Sequence, residues 1–138
     1  DRWSRRMLER FQRQDARIRV VHTDVTTAPV ADTYGAASVV VHPAVEDGYG
    51  LVIAQALACG RPVVASRQAG ASELIQDGVH GFVVDAGSSD AIADRLQVLA
   101  TDARLRERMA AAAPSAVARL GYDDFAQAVA AFYASVLG

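Results

Sequence analysis

Apolar residues fall along this chain in two alternating textures: short β-branched runs, and longer stretches in which apolar positions return every three or four residues. The first texture predicts half-buried or buried strands, and the second predicts amphipathic helices. Ile18-Arg19-Val20-Val21, Ser38 to His42, Val63-Val64-Ala65 and Gly81-Phe82-Val83-Val84 are the β-branched runs. They predict strands near 18–22, 38–42, 62–66 and 81–84. Pro43 cannot donate to a sheet ladder, so the second of these ends at His42. Between them lie the helical stretches. Trp3, Met7, Leu8 and Phe11 mark an arginine-rich helix over residues 2–14, and a short helix over 31–37 follows the breaker Pro29. The apolar run Leu51 to Leu57 predicts about two helical turns starting near Gly50, ended by Cys59-Gly60. A further short helix is expected from Ser72 to about Gln76. Ser88 or Ser89 caps another to about Ala100. The next runs from Asp102 to near Leu120, broken or kinked at Pro114, and the last is capped by Asp123 with Phe125, Val129, Phe132, Tyr133 and Val136 as its apolar stripe.

Strands that alternate with helices define an α/β domain with a parallel sheet, right-handed crossovers and helices on both faces. Ligands of such sheets bind beyond the carboxyl ends of the strands. The domain opens on a helix with no strand before it, which suggests a chain incomplete at its amino end.

Composition narrows the chemistry. At 138 residues with a hydrophobic share of 51%, one core is expected. A net charge of −2 gives no general field for nucleic acid or an anionic membrane, so any anion must be caught locally. No apolar run reaches the ~20 residues of a membrane span, and the amino end lacks the apolar core of a signal peptide. A cytoplasmic location is the expectation, with peripheral attachment at an inner membrane face as its variant. All 14 basic residues are arginine, so lysine chemistry is excluded within this chain. Cys59 stands alone and is expected to be a buried structural thiol. His22, His42 and His80 are too scattered to form a metal site.

The stretch Glu46-Asp47-Gly48-Tyr49-Gly50 sets two carboxylates and two glycines directly before the helix at Gly50. The helix's free N–H groups and the positive end of its dipole then face the sheet's carboxyl edge, where a phosphate can be held. Asp47 and Gln55 stand eight residues apart, one at the mouth of the turn and one further along the helix. Both can border one pocket, with the Gln55 amide hydrogen-bonding sugar hydroxyls. The ordinary alternative is a strand-to-helix loop with solvent-facing acids. Ala69-Gly70-Ala71-Ser72-Glu73 repeats the same logic after the next strand. Glu73 is either a first-turn carboxylate that favours the dipole or a functional group, and Arg67 stands at the same edge.

These motifs resemble the carboxyl-terminal domain of GT-B glycosyltransferases, specifically the GT4-like, or group 1, retaining enzymes. The resemblance covers Ala31 to Val84: Pro43-Ala44, Asp47-Gly48-Tyr49-Gly50-Leu51, Gln55-Ala56, Ala58-Cys59-Gly60-Arg61-Pro62-Val63, Ala69-Gly70-Ala71-Ser72-Glu73 and Asp77-Gly78-Val79-His80-Gly81. Two departures stand out. Asp47 replaces the family's first signature Glu, with Glu46 one position earlier, and Gln55 replaces the second.

The resemblance implies a Rossmann-like fold, the carboxyl-terminal half of a GT-B fold, with residues 1–138 forming a nucleotide-sugar-binding domain. It implies a retaining transfer from a nucleotide-diphosphate sugar to an acceptor hydroxyl, with no metal, no cofactor beyond the donor and no nucleic acid partner. Gly50, Leu51 and Val52 then supply backbone donors to the diphosphate, Gln55 meets the ribose, and Asp47 with Gly48 and Tyr49 meets the sugar, with Glu46 in reserve. An amino-terminal GT-B domain and the family's basic Arg and Lys are expected upstream of Asp1. Two rival classes stand beside this reading: a nucleotide-sugar epimerase of the same architecture, and a non-catalytic α/β signalling or interaction domain.

Overall fold

The computed structural model describes residues 6, 9–10, 13–17 and 29–137. Arg6, Glu9, Arg10, Arg13 and Gln14 are helical and exposed, in keeping with a solvated basic face. Trp3, Met7, Leu8 and Phe11, and the strand expected at 18–22, lie outside the described residues.

From Pro29 onward the chain runs α1 (Val30–Gly35), β1 (Val40–His42), α2 (Leu51–Ala58), β2 (Val63–Ser66), a 3-10 turn (Gly70–Leu74), β3 (Gly81–Val84), α3 (Ser89–Thr101), α4 (Ala103–Ala112), a second 3-10 turn (Ala113–Val117) and α5 (Tyr122–Leu137). The strands pair in the order β1-β2-β3, all parallel, with Val40 opposite Val63 and Val64 opposite Phe82. The sheet is therefore of the doubly covered α/β kind that the alternation predicts.

β2 shows how the layers form. Side chains along a strand alternate between faces, and Val63 and Ala65 pack with Ile53, Ala56 and Leu57 of α2 and with Ala113. Val64 faces the other way, with Phe82 and Val84 of β3, Leu99 of α3 and Met109 of α4. All four β2 residues are buried, as expected of a central parallel strand whose residues are nearly all apolar. Ser88 and Asp102 cap α3 and α4 by accepting from Ala91 N–H at 3.4 Å and Leu105 N–H at 2.8 Å. The Arg106 guanidinium donates to Leu99 O at 2.6 Å and fixes the corner between the two helices.

The helix α1 closes at Gly35 rather than at 37 and β1 opens at Val40 rather than at Ser38, and three larger differences stand beside these. The short helix expected at 72–76 is a 3-10 turn beginning at Gly70, in which Ser72 N–H bonds back to Ala69 O at 2.9 Å. The helix expected to reach Leu120 ends at Ala112, because Pro114 cannot donate to a continuing ladder and the chain tightens into 3-10 geometry. Tyr122, not Asp123, opens α5, which places Asp123 in the first turn rather than at the cap. On α5, Phe132 and Tyr133 are exposed at 63% and 58%, and their rings meet edge to face at 5.9 Å. Cys59 is half-buried rather than buried, because it closes α2 at the turn instead of pointing into the core.

Candidate functional site

The carboxyl ends of β1, β2 and β3 bring three loops to one edge: Pro43 to Gly50, Arg67 to Ala69, and Asp85 to Ser88. The first two are tied together. Ser66, buried at the end of β2, donates its hydroxyl to Ala44 O. Asp47 N–H donates to Gln68 O at 3.3 Å, Gly70 N–H donates to Asp47 O at 3.2 Å, and Ala71 N–H donates to Tyr49 O. Asp47 and Ala69 thereby form an isolated parallel bridge that prolongs the sheet by one step. The approach is so close that a Cβ on Gly70 would lie 2.5 Å from Gly48 O, so only glycine fits there.

Gly50 then turns the chain into α2. It is the N-cap, at φ 80° and ψ 54°, a left-handed conformation that glycine adopts without steric cost. Ile53 N–H closes the first turn onto Gly50 O at 2.9 Å. The N–H groups of Gly50, Leu51 and Val52 bond to no other group among the described residues. No side chain caps this end. A helix amino end with open N–H groups, set at the carboxyl edge of a parallel sheet, is suited to an anion. The expected helix start at Gly50 is thus its cap, one residue earlier than the first helical residue. Leu51 is 63% exposed, so its side chain has no part in the core.

The acidic residues separate. Glu46 is exposed. Asp47 is half-buried and its Oδ2 lies 2.9 Å from His42 Nε2, at the last residue of β1. His42 is the residue that the sequence reading passed over as part of a scattered set. Its signal was its place, since a polar side chain closing a strand at the ligand edge sits beneath whatever loop follows.

Gln55 goes elsewhere. Its side-chain oxygen accepts from the Tyr34 hydroxyl at 3.3 Å, which leaves the amide N–H groups for a ligand. Burial holds the Tyr34 phenol above its ordinary range, and the nearby Cys59 thiol acts in the same direction. Gln55 lines an open depression of about 370 Å³ with Tyr49, Leu51, Ala54, Ala58, Val117 and Leu120. Tyr49 and Gln55 wall this depression, while the Asp47 carboxylate is turned to His42.

Arg67 reaches Asp85 at 3.5 Å with both side chains exposed, an ion pair worth little. Arg67 and Glu73 also border a second recess of about 460 Å³ with Ser72, Ile75, Asp77 and Val83. Among the described residues no group of three or more His, Cys, Asp or Glu stands close enough to hold a metal ion. None of the described helices is long and apolar enough to cross a membrane.

The fold and this edge define an α/β domain of the Rossmann-like kind, matching the carboxyl-terminal domains of GT-B glycosyltransferases. The family model described as "Glycosyl transferases group 1" matches residues 2–102, and the chain belongs to that family. A D-inositol 3-phosphate glycosyltransferase of Xylanimonas cellulosilytica is 42% identical over 115 residues, which is 83% of this chain and 28% of that one. Among solved structures, HepE of Anabaena in complex with UDP-glucose superposes with a TM-score of 0.69 at 30% identity, over 78% of this chain and 30% of that one. Sucrose-phosphate synthase of Thermosynechococcus elongatus superposes with a TM-score of 0.79 at 25% identity, over 97% of this chain and 34% of that one. The chain spans about a quarter of the length of the curated relatives it matches, with shares of 28%, 24% and 25%.

Proposed function

We propose that this chain is the donor-binding domain of a glycosyltransferase that uses a nucleotide-diphosphate sugar. The observation that carries the reading is the set of open N–H groups at Gly50, Leu51 and Val52 behind a left-handed glycine cap. They receive the diphosphate, and the helix dipole adds about 0.3 to 1 kcal/mol. Likeness to HepE, solved with UDP-glucose, supports a nucleotide sugar as the anion's source.

The remaining roles follow from where each group lies. Asp47, with Gly48 and Tyr49, meets the transferred sugar, and Glu46 is the alternative carboxylate. A carboxylate beside a diphosphate repels it unless something neutral lies between them, and the hexose ring is that spacer. Gln55 donates to the ribose from the wall of its depression. The diphosphate charge is met by N–H groups and dipole without a metal. The reaction is transfer to an acceptor hydroxyl with retention, and an amino-terminal GT-B half supplies the acceptor's walls. The chain alone then binds donor at millimolar strength, about −4 kcal/mol, and does not turn it over, because it holds only one of two reactants in attack geometry.

Calorimetric titration of the chain with UDP, GDP and ADP and their glucose conjugates tests this. One nucleotide is expected to bind in preference to the others, and Gln55→Ala is expected to weaken it by roughly 0.5 to 1.5 kcal/mol, one neutral hydrogen bond. Equal indifference to all six ligands, or glycosyl transfer by this chain alone, would overturn the reading.

A further inference from the structure

Asp47 is held at three points. Its N–H and its C=O are both bound to the loop after β2, at 3.3 Å to Gln68 and 3.2 Å from Gly70, so its backbone cannot swing. What is left to set is the direction of its carboxylate, and that depends on two side-chain torsions. His42 sets it, with Nε2 at 2.9 Å from Oδ2. The ring is only 17% exposed and stands on β1, where His42 pairs with Ala65 in the sheet register. It also underlies the helix cap: a Cβ placed on Gly50 would lie 3.6 Å from His42 Nε2. One imidazole thus touches the candidate carboxylate and lies within reach of the anion-binding turn. Among the described residues, Oδ1 of Asp47 has no hydrogen-bond partner, and the side chain is 34% exposed.

We infer that His42 is a positioning residue that anchors Asp47 through Oδ2 and so presents Oδ1 to a hydroxyl of the donor's sugar. The inference rests on the donor-site reading above and adds a residue to it. With its backbone tied down, an unanchored Asp47 side chain would sample its rotamers, and the sugar would have to select one on binding. His42 removes that selection before the ligand arrives. Because the contact is to the sugar and not to the diphosphate, losing His42 should weaken the nucleotide sugar and spare the free nucleotide. An imidazole that only supported the fold would affect both alike.

Two measurements test it. In the ligand-free chain at about pH 8, the Nε2–H proton of His42 should be held by Asp47 Oδ2, slowed in exchange with water and directly observable, a signal that Asp47→Ala abolishes. A protected Nε2–H signal that persists in Asp47→Ala, or that is absent from the parent chain, would overturn the anchor whether or not any donor binds. Titration of each glucose conjugate against its free nucleotide, for UDP, GDP and ADP, is the second arm. His42→Leu should lose about tenfold in affinity for the conjugate and less than twofold for the nucleotide, with His42→Gln, which can still donate to the carboxylate, recovering to within about threefold. Asp47→Ala should show the same loss for the conjugate and none for the free nucleotide, and the double variant should lose no more for the conjugate than either alone. Equal losses for conjugate and nucleotide, or additive losses in the double variant, would overturn the role at the sugar. Failure of the wild-type chain to bind any conjugate or nucleotide would instead overturn the donor-site reading, and the spectra of the first arm tell the two failures apart.

Discussion

Replacing Gly70 by alanine should unpick the joint between the two site loops. The added Cβ would sit 2.5 Å from Gly48 O and 3.3 Å from Tyr49 Cα, both backbone atoms that cannot rotate away. Ordinary contact requires about 1 Å more, so the loops must part. Overpacking of this kind costs about 1 to 3 kcal/mol. Parting also stretches the bonds from Gly70 N–H to Asp47 O and from Ala71 N–H to Tyr49 O, at roughly 0.5 to 1.5 kcal/mol each. Alanine's smaller unfolded-state entropy returns about 0.4 to 1 kcal/mol. The net loss is roughly 1 to 5 kcal/mol, or a fall in melting temperature of about 3 to 20 °C for a domain of this size. Gly48→Ala is the matched control, since a Cβ there meets nothing within 4 Å. Circular dichroism melts of the two variants decide the matter. If both melted within about 2 °C of the parent chain, the close approach would not be holding the turn, and the geometry assigned to Asp47 would lose its basis.

Leu99→Ala removes a fully buried side chain from the face shared with Val64, Phe82 and Met109, and should cost about 2 to 5 kcal/mol in urea unfolding. Ser66→Ala deletes the buried hydroxyl that holds Ala44 O and should cost about 1 kcal/mol, with amide shifts spreading to residues 44–48 and not to α3. The Tyr34 phenol is held above its ordinary range by burial first and by Cys59 second, so the folded state keeps its proton more tightly than the unfolded chain does. Its contribution is then present below the unfolded value near 10 and lost as pH rises through the folded value. Tyr34→Phe should flatten that alkaline fall in stability, and an unaltered alkaline profile would contradict the assignment.

The legible parts of this chain are those fixed by local pattern. Val63-Val64-Ala65 reads as a central strand because a parallel strand covered on both faces has to be apolar throughout, and the structure buries all of it. The glycine at position 50 and the carboxylates before it mark the strand-to-helix turn for the same reason, since few other residues suit a left-handed cap. What could not be read are contacts set by chain segments far apart. The pairing of His42 with Asp47 needs the 46–50 turn to fold back over the end of β1, and that is enforced by Gln68, Gly70 and Ala71 from the next crossover. Gln55 and Tyr34 meet across 21 residues, so spacing within the motif gave no hint of it. Periodicity on α5 identified an apolar face without saying what packs on it, and Phe132 and Tyr133 emerge exposed. Pro114 marked a break, and α4 ends two residues before it, at Ala112, because the missing N–H cannot continue the ladder.

The central claim is that the open N–H groups of Gly50, Leu51 and Val52 receive a donor's diphosphate. Amide chemical-shift mapping during titration with a nucleotide diphosphate reads those groups directly. The largest shifts are expected on Gly50, Leu51 and Val52, moving downfield as the N–H groups acquire an anionic acceptor and saturating only at millimolar ligand. Shifts centred instead on the recess of Arg67, Ser72, Glu73 and Asp77, with residues 50–52 unmoved, would contradict it.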